Sequence, residues 1–407
     1  MVAGSSTACP CSFKTCINGL RRSAYARSIH CEFLPAESRP IVVIMWSDRR
    51  LLDLFKIDHP IMQAPMAGVM DSELAIAVGK AGALAGLPAG MLNAEQLRTQ
   101  VAEFRAAATN RSINLNFFVH KMPIPNNARE HAWRERLKPY YVEMGIDPAA
   151  PVPTTNRAPF DPLMCAVIEE LKPDVVSFHY GLPDAALVAR VKAVGSQVIS
   201  TATTVAEARF LEASGCDAVI AQGLEAGGHR GMFLSNDIAT QVGLFALLPQ
   251  VVDAVKVPVV ATGGIADARA IAAALTMGAA GVQLGTAFLF CPEAKTLPPH
   301  RAALRAAGDI GTVLTNVFSG RPARALINRA IRELGPISDI VPDFPLASGA
   351  LAPLHARAQA QGSGNFSPML AGQAAPLGRE MPAGELIRTF ASQTQDLLRR
   401  GHKKAFV

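Results

Sequence analysis

The eleven residues Ala221-Gln222-Gly223-Leu224-Glu225-Ala226-Gly227-Gly228-His229-Arg230-Gly231 combine residue types that chemistry needs. An apolar run, Asp217-Ala218-Val219-Ile220, precedes them. The stretch therefore reads as a strand end opening into a glycine-rich loop with one histidine at its tip. Paired glycines let backbone N–H groups approach an anion or a cofactor closely. Histidine exchanges protons near neutral pH. The loop points to chemistry on a bound cofactor with His229 as its reactive group. A histidine that only caps the loop is the alternative.

Further candidates sit at the ends of other apolar runs. Ala261-Thr262-Gly263-Gly264-Ile265 leads to Asp267, which opens a helix, and Gln283-Leu284-Gly285-Thr286 ends the last run. The N–H groups of Gly263, Gly264, Gly285 and Thr286, with the Thr286 hydroxyl, form a plausible phosphate cradle. Plain strand-to-helix turns are the alternative. Gln63-Ala64-Pro65-Met66-Ala67-Gly68 makes a tight apolar turn that can bring backbone against a flat ring system. Asn116 and Gln222 are amides that both donate and accept, as a ring edge requires, or they cap loops. His179, in Ser177-Phe178-His179-Tyr180-Gly181, faces the same side or makes a structural hydrogen bond. No His, Asp or Glu cluster has metal-ligand spacing, and no serine sits in a nucleophile elbow.

The elements that must position these residues alternate. Strands are expected at Ile61–Pro65, Ala83–Leu87, Ile113–Val119, Val175–His179, Gln197–Thr201, Ala218–Ala221, Val257–Ala261 and Gly281–Gly285. Helices are expected over 72–81, 94–107, 161–171, 184–194, 205–214, 240–254 and 267–277. Eight βα units predict an α/β fold of the (β/α)8 TIM-barrel type. A long excursion over 120–160 follows the third strand, as a lid or a small subdomain. After residue 300 the reading is a helical and irregular appendage packed on the barrel. It has helix-like stretches near 300–308 and 322–334, an irregular Gly/Pro/Ser-rich region over 335–383, and a helix from about 384 to 399. The expected organisation is 1–44 as a disordered extension, 45–300 as barrel and 301–407 as appendage. The extension reads as a transit-like segment or as an artefact of a start placed too far upstream.

Composition narrows the class. Of 407 residues, 50% are hydrophobic and 18% charged, enough for a large core. The formal charge of +6 is modest, and no basic stripe carries interleaved aromatics, which argues against nucleic-acid binding. Residues 271–290 carry no charge, but Gly278, Gly281, Gln283 and Gly285 interrupt them, so helix-then-strand fits better than a membrane span. Four cysteines (Cys9, Cys11, Cys16, Cys31) precede residue 45, and Cys165, Cys216 and Cys291 are far apart. That is no disulfide framework and points to the cytoplasm. Partners are expected to be small molecules, with a homo-oligomer left open.

Together the motifs closely resemble the nitronate monooxygenase family, formerly 2-nitropropane dioxygenases, from about Met45 to about Ile387. The resemblance also rests on Phe318-Ser319-Gly320-Arg321-Pro322-Ala323-Arg324 and Ala371-Gly372-Gln373. It implies a barrel holding non-covalent FMN, with Asn116, Gln222, Gly227, Gly264, Gln283, Leu284, Gly285 and Thr286 around the cofactor and Met66 near the ring. It implies His229 as the catalytic residue and His179 on the substrate. The implied reaction is oxidation of alkyl nitronates by dioxygen to a carbonyl compound and nitrite, without reduced nicotinamide. Family members also carry substrate-side tyrosines, for which Tyr180, Tyr140 and Tyr141 are candidates, with Phe366 where some relatives place one. The alternative is an FMN-dependent enoyl-ACP reductase using NAD(P)H, which shares the barrel and a similar loop.

Overall fold

A computed structural model describes residues 46–154 and 157–404, the last four by backbone alone. The extension expected over 1–44, with its four cysteines, lies outside the described residues. Along the chain run α1 (Arg50–Phe55), β1 (Ile61–Gln63), α2 (Ser72–Lys80), β2 (Ala85–Leu87), α3 (Ala94–Ala107) and β3 (Ile113–Phe118). Next come α4 (Asn127–Glu143), α5 (Pro162–Leu171), β4 (Val175–His179), α6 (Ala185–Ala193), β5 (Gln197–Ala202), α7 (Val205–Ala213) and β6 (Ala218–Gln222). Then follow β7 (Gly228–His229), α8 (Leu244–Ala254), β8 (Val259–Thr262), α9 (Ala268–Thr276) and β9 (Gly281–Leu284). The tail holds α10 (Pro298–Arg305), β10 (Thr312–Thr315), β11 (Ala323–Leu326), α11 (Arg329–Leu334), α12 (Ala347–Ala360) and α13 (Ala383–Lys404).

The eight parallel strands are ordered β1-β9-β8-β6-β5-β4-β3-β2. Two hydrogen bonds close β1 on β2: Leu84 N–H donates to Ile61 O, and Gln63 N–H to Leu84 O, both at 3.0 Å. The molecule is a TIM barrel, and all eight expected strands are present. Several turns from strand to helix carry a start signal in the form of a side-chain cap. Asn93 and Gln96 form a capping box on α3, and Asp161 caps α5 ahead of Pro162. Thr204 caps α7, and Asp267 accepts from Arg269 and Ala270 on α9. These caps satisfy N–H groups that a helix start leaves unpaired.

Strand alternation splits the apolar residues into two layers. Met62, Leu84, Val175, Ile199, Ile220 and Val260 fill the barrel, and α1 seals its lower end with Leu51, Leu52 and Phe55. The opposite strand faces pack on the helices. A second cluster joins Trp133, Leu137, Tyr140 and Tyr141 of α4 to Leu351 and Leu354 of α12, with Val317, Ile331 and Phe366. The excursion over 120–160 thus supplies a helix that packs on the tail.

Two expectations about the tail need correction. The stretch 322–334 is not one helix: Ala323–Leu326 is a strand, and Asn328 caps α11 through the Ile331 N–H. The four strand residues pair with β10 and with β7, and tertiary partners override their helical composition. The region 335–383 is not wholly irregular either, since α12 runs through it despite Pro353. Its buried Ala347, Ala350, Leu351, Leu354 and Ala358 fall on one side. Among the described residues no helix is long and apolar enough to cross a membrane.

The plug fixes one testable point. A Cβ on Gly281 would overlap a Leu51 methyl and lie 2.8 Å from the Pro60 carbonyl oxygen. Gly281→Ala should therefore cost about 1–3 kcal/mol of stability, read as a lower urea midpoint at unchanged slope.

Candidate active site

At the C-terminal ends of the strands lies a cavity of about 570 Å³. Its lining brings together Asn116, His179, Gln222, Gly227, His229, Gly264, Gln283, Gly285 and Thr286. Leu284 is not among the lining residues. Period-two alternation turns Gln283 and Gly285 inward and Leu284 outward, where it is 1% exposed in the core. None of the tyrosine candidates lines the cavity. Tyr140 and Tyr141 are buried in the second cluster, and Tyr180 packs under the Arg321 guanidinium, 4.0 Å from its ring centre. Phe366 does line it, as does Met66, whose N–H lies 3.3 Å from Met70 Sδ.

One end is built for an anion. Gly263 (φ 112°) and Gly264 (φ 69°) take the left-handed backbone that favours glycine. Among the described residues, the N–H groups of Gly263, Gly264, Gly285 and Thr286 have no protein acceptor, and all four residues line the cavity. Thr286 Oγ1 accepts from Gly372 N–H at 2.9 Å, which places Ala371-Gly372-Gln373 beside the cradle. A Cβ on Gly227 would lie 2.5 Å from the Ala371 carbonyl carbon, so glycine is needed there for close approach. Gln283 Oε1 is buried without a partner, and Asn116 donates from Nδ2 to Ser177 Oγ at 2.9 Å. An orphaned acceptor and four free N–H groups around one cavity fit a phosphorylated ring cofactor.

The histidine end is held by a brace. Arg230 is fully buried and donates to Gln222 O (2.8 Å), Gly223 O (2.6 Å) and Gln241 Oε1 (2.8 Å). Both amide atoms of Gln222 serve the loop: Nε2 donates to His229 O at 3.0 Å, and Oε1 accepts from Gly231 N–H at 2.8 Å. Residues 228–229 pair with Ala323 and Arg324 of β11. The His229 ring sets Nε2 2.7 Å from Ser319 Oγ. Both His179 nitrogens are engaged at 3.3 Å, with Thr201 Oγ1 and His229 O. Sequence reasoning missed Arg230 and Ser319. Ser319 belongs to a motif already quoted, but its partner is 90 residues away.

Among the described residues no Asp or Glu lines the cavity, whereas one arginine and four histidines do. Burial, then Arg157, His179 and Arg321, hold His229 well below the usual 6.5. Burial and Arg321 press His179 to about 3, and burial brings His300 to about 4. Beside the cavity, burial and two arginines put His120 at about 4. These rings are neutral at physiological pH, and the surrounding potential favours anions. Among the described residues no group of three or more acidic, histidine or cysteine side chains is placed to hold a metal ion.

Fold and cavity define the class, a TIM-barrel enzyme with its working groups at the strand ends. A family model described as nitronate monooxygenase matches residues 48–393. A nitronate monooxygenase of Pseudomonas aeruginosa is 40% identical over 84% of this chain and 98% of its own length. One of Paraburkholderia phytofirmans is 42% identical over 83% and 93%. The solved nitroalkane oxidase of Streptomyces ansochromogenes matches with TM-score 0.78 and 39% identity, over 86% of this chain and 99% of that one. FabK of Thermotoga maritima matches with TM-score 0.67 and 27% identity, over 87% and 98%. The chain belongs to the nitronate monooxygenase family and is an oxidoreductase.

Two outcomes follow from the brace and the buried rings. A lysine ammonium cannot span three oxygens, so Arg230→Lys should lose about 2–3 kcal/mol in urea unfolding and speed amide exchange over 222–231. Above pH 6.5 the rings of His120, His179 and His300 are neutral both folded and unfolded. Below it the unfolded chain takes up protons that the folded rings refuse until about 4 for His120 and His300 and about 3 for His179. Stability of the cofactor-free protein should therefore fall steadily from pH 6.5 towards 3. A urea midpoint constant between pH 7 and pH 5 would contradict this.

Proposed function

We propose that this chain is an FMN-dependent nitronate monooxygenase. It oxidises alkyl nitronates such as propionate-3-nitronate with dioxygen, giving a carbonyl compound and nitrite without reduced nicotinamide. The observation that carries the reading is an acid-free cavity with four unpaired backbone N–H groups at one end and a neutral histidine at the other. Family membership supplies the reaction class. We place the activity in the cytoplasm, in keeping with the unpaired Cys165, Cys216 and Cys291.

Bound FMN supplies the electron acceptor and the dioxygen chemistry. The N–H groups of Gly263, Gly264, Gly285 and Thr286 would hold its phosphate, where fixed dipoles replace water. Gln283 Oε1 and Asn116 would meet polar atoms of the ring edge. Gly227 keeps the loop close. Gln222 and His179 act on the same atom, the His229 carbonyl oxygen, and so position the histidine rather than bind substrate.

His229 handles the proton. A hydroxyl both donates and accepts, so Ser319 Oγ holds either tautomer of the neutral ring. With Nε2–H on Ser319, Nδ1 is left as a base for the α-proton of a neutral nitroalkane. With the Ser319 hydroxyl donating to Nε2, Nδ1–H is a donor for an anionic nitronate.

The test is a visible spectrum of the purified protein, then aerobic nitrite release from propionate-3-nitronate beside NADH consumption. A flavin spectrum and nitrite without NADH are expected. Rapid NADH oxidation without nitrite would instead support the enoyl-ACP reductase reading. His229→Asn should keep FMN and lower nitrite release from a neutral nitroalkane by about 10²–10⁴-fold. Unchanged turnover in that variant removes His229 from the mechanism.

A further inference from the structure

The cavity extends beyond the barrel mouth. From the glycine cradle and His229 it runs on to walls formed by Thr315, Phe318, Leu351, Ala352, Phe366 and Leu370. Phe318, Leu351 and Phe366 belong to the second hydrophobic cluster, and Leu370 packs against it. This part of the cavity is therefore an opening in a core that α4, α12 and the tail otherwise close. Helix α12 turns one face to it: Ser348, Leu351, Ala352 and His355 follow at intervals of three and four residues. Its polar groups carry no permanent charge. Burial holds His355 below its usual pKa, and Arg157, the guanidinium that lines the cavity among the described residues, lies 5.7 Å from the Phe344 ring centre, on the His229 side.

Protein interiors are close-packed, and an apolar void forfeits the contacts of every atom that lines it. The barrel mouth already has an occupant in the reading above, since the cofactor's ring and phosphate use the residues at the strand ends. The wall of this space combines Phe318, Leu351, Ala352, Phe366 and Leu370 with the uncharged polar groups Thr315, Ser348 and His355, which suits an apolar chain better than a charged group. The space offers transfer from water to an alkyl chain. Gly349 and Ala352 are the small residues of the helix on the cavity; a Cβ on Gly349 would meet the Pro153 carbonyl oxygen, so Ala352 is the position at which a larger side chain would enter the space.

We propose that this arm seats the apolar chain of the substrate. The preferred nitronates then carry an unbranched alkyl chain of several carbons, and Ala352 sets the length accepted. The proposal rests on the nitronate reading and adds the substrate class to it. The nitronate head stays at His229 while the chain leaves the barrel mouth along α12.

The test is a series of primary alkyl nitronates from ethyl to octyl, read as kcat/KM for nitrite release by the FMN-loaded full chain. Burial of each methylene should raise kcat/KM about fourfold until the arm is full. In Ala352→Phe the ratio of hexyl to ethyl kcat/KM should fall at least tenfold. If that variant loses its flavin or its fold, Ala352→Leu is measured for the same ratio. A kcat/KM independent of chain length in the wild type overturns the arm while leaving the nitronate reading intact. So does an unchanged ratio in a folded Ala352 variant. No nitrite from any member of the series overturns the nitronate reading, and the arm with it.

Discussion

One buried cation organises the site. Arg230 is fully enclosed, and burial with the nearby Arg324 lowers its pKa to about 10, so it stays charged. A buried charge is costly unless its hydrogen bonds are filled and opposite charge is near. Two backbone carbonyls and the Gln241 side chain fill the bonds, and Glu225 and Glu207 supply the negative charge. Those two carboxylates are fixed in turn: Glu207 accepts from Thr203 and Phe233, and Glu225 from Leu244. The end of β6 therefore has one available conformation. The Gln222 clamp, the β7–β11 pairing and the His229–Ser319 contact all depend on it.

The electrostatics of the cavity follow from what its walls omit. A single carboxylate there would cancel much of the field from Arg157 and Arg321 and would raise the histidine pKa values. Without one, burial and positive neighbours act in the same direction, and His229 stays neutral. A neutral imidazole next to a positive potential can hold an anion while keeping a nitrogen free for a proton. The carboxylates that balance Arg230 lie behind the loop rather than in front of it, so the loop is neutralised and the cavity is not.

The barrel was legible because its strands are short apolar runs spaced by amphipathic helices, a purely local pattern. The cradle and the His229 loop were legible because strand ends are fixed by the same pattern. Leu284 is the expected site residue that does not line the cavity, and the signal was present: alternation from Gln283 to Gly285 turns its side chain outward. The tail was harder to read. Ala323–Leu326 is a strand only because β7 and β10 lie beside it, and nothing local marks that. Helix α12 was hidden by Gly349 and Pro353, which punctuate its periodicity. Arg230 and Ser319 act across long sequence distances or through backbone oxygens, and neither leaves a trace in residue spacing.

The pairing of β7 with β11 also sets an order of events at the ribosome. Ser319, which receives the His229 ring, is made 90 residues after it, and Gly372 follows later still. At about 5–20 residues per second, several seconds separate the histidine from its support. The barrel strands are complete by Leu284, so the nascent chain passes through a stage with every barrel strand and no finished site. The cavity around the histidine is thereby left unfinished until nearly the whole polypeptide exists. A product released early would carry the histidine without the serine and strand that hold it in place.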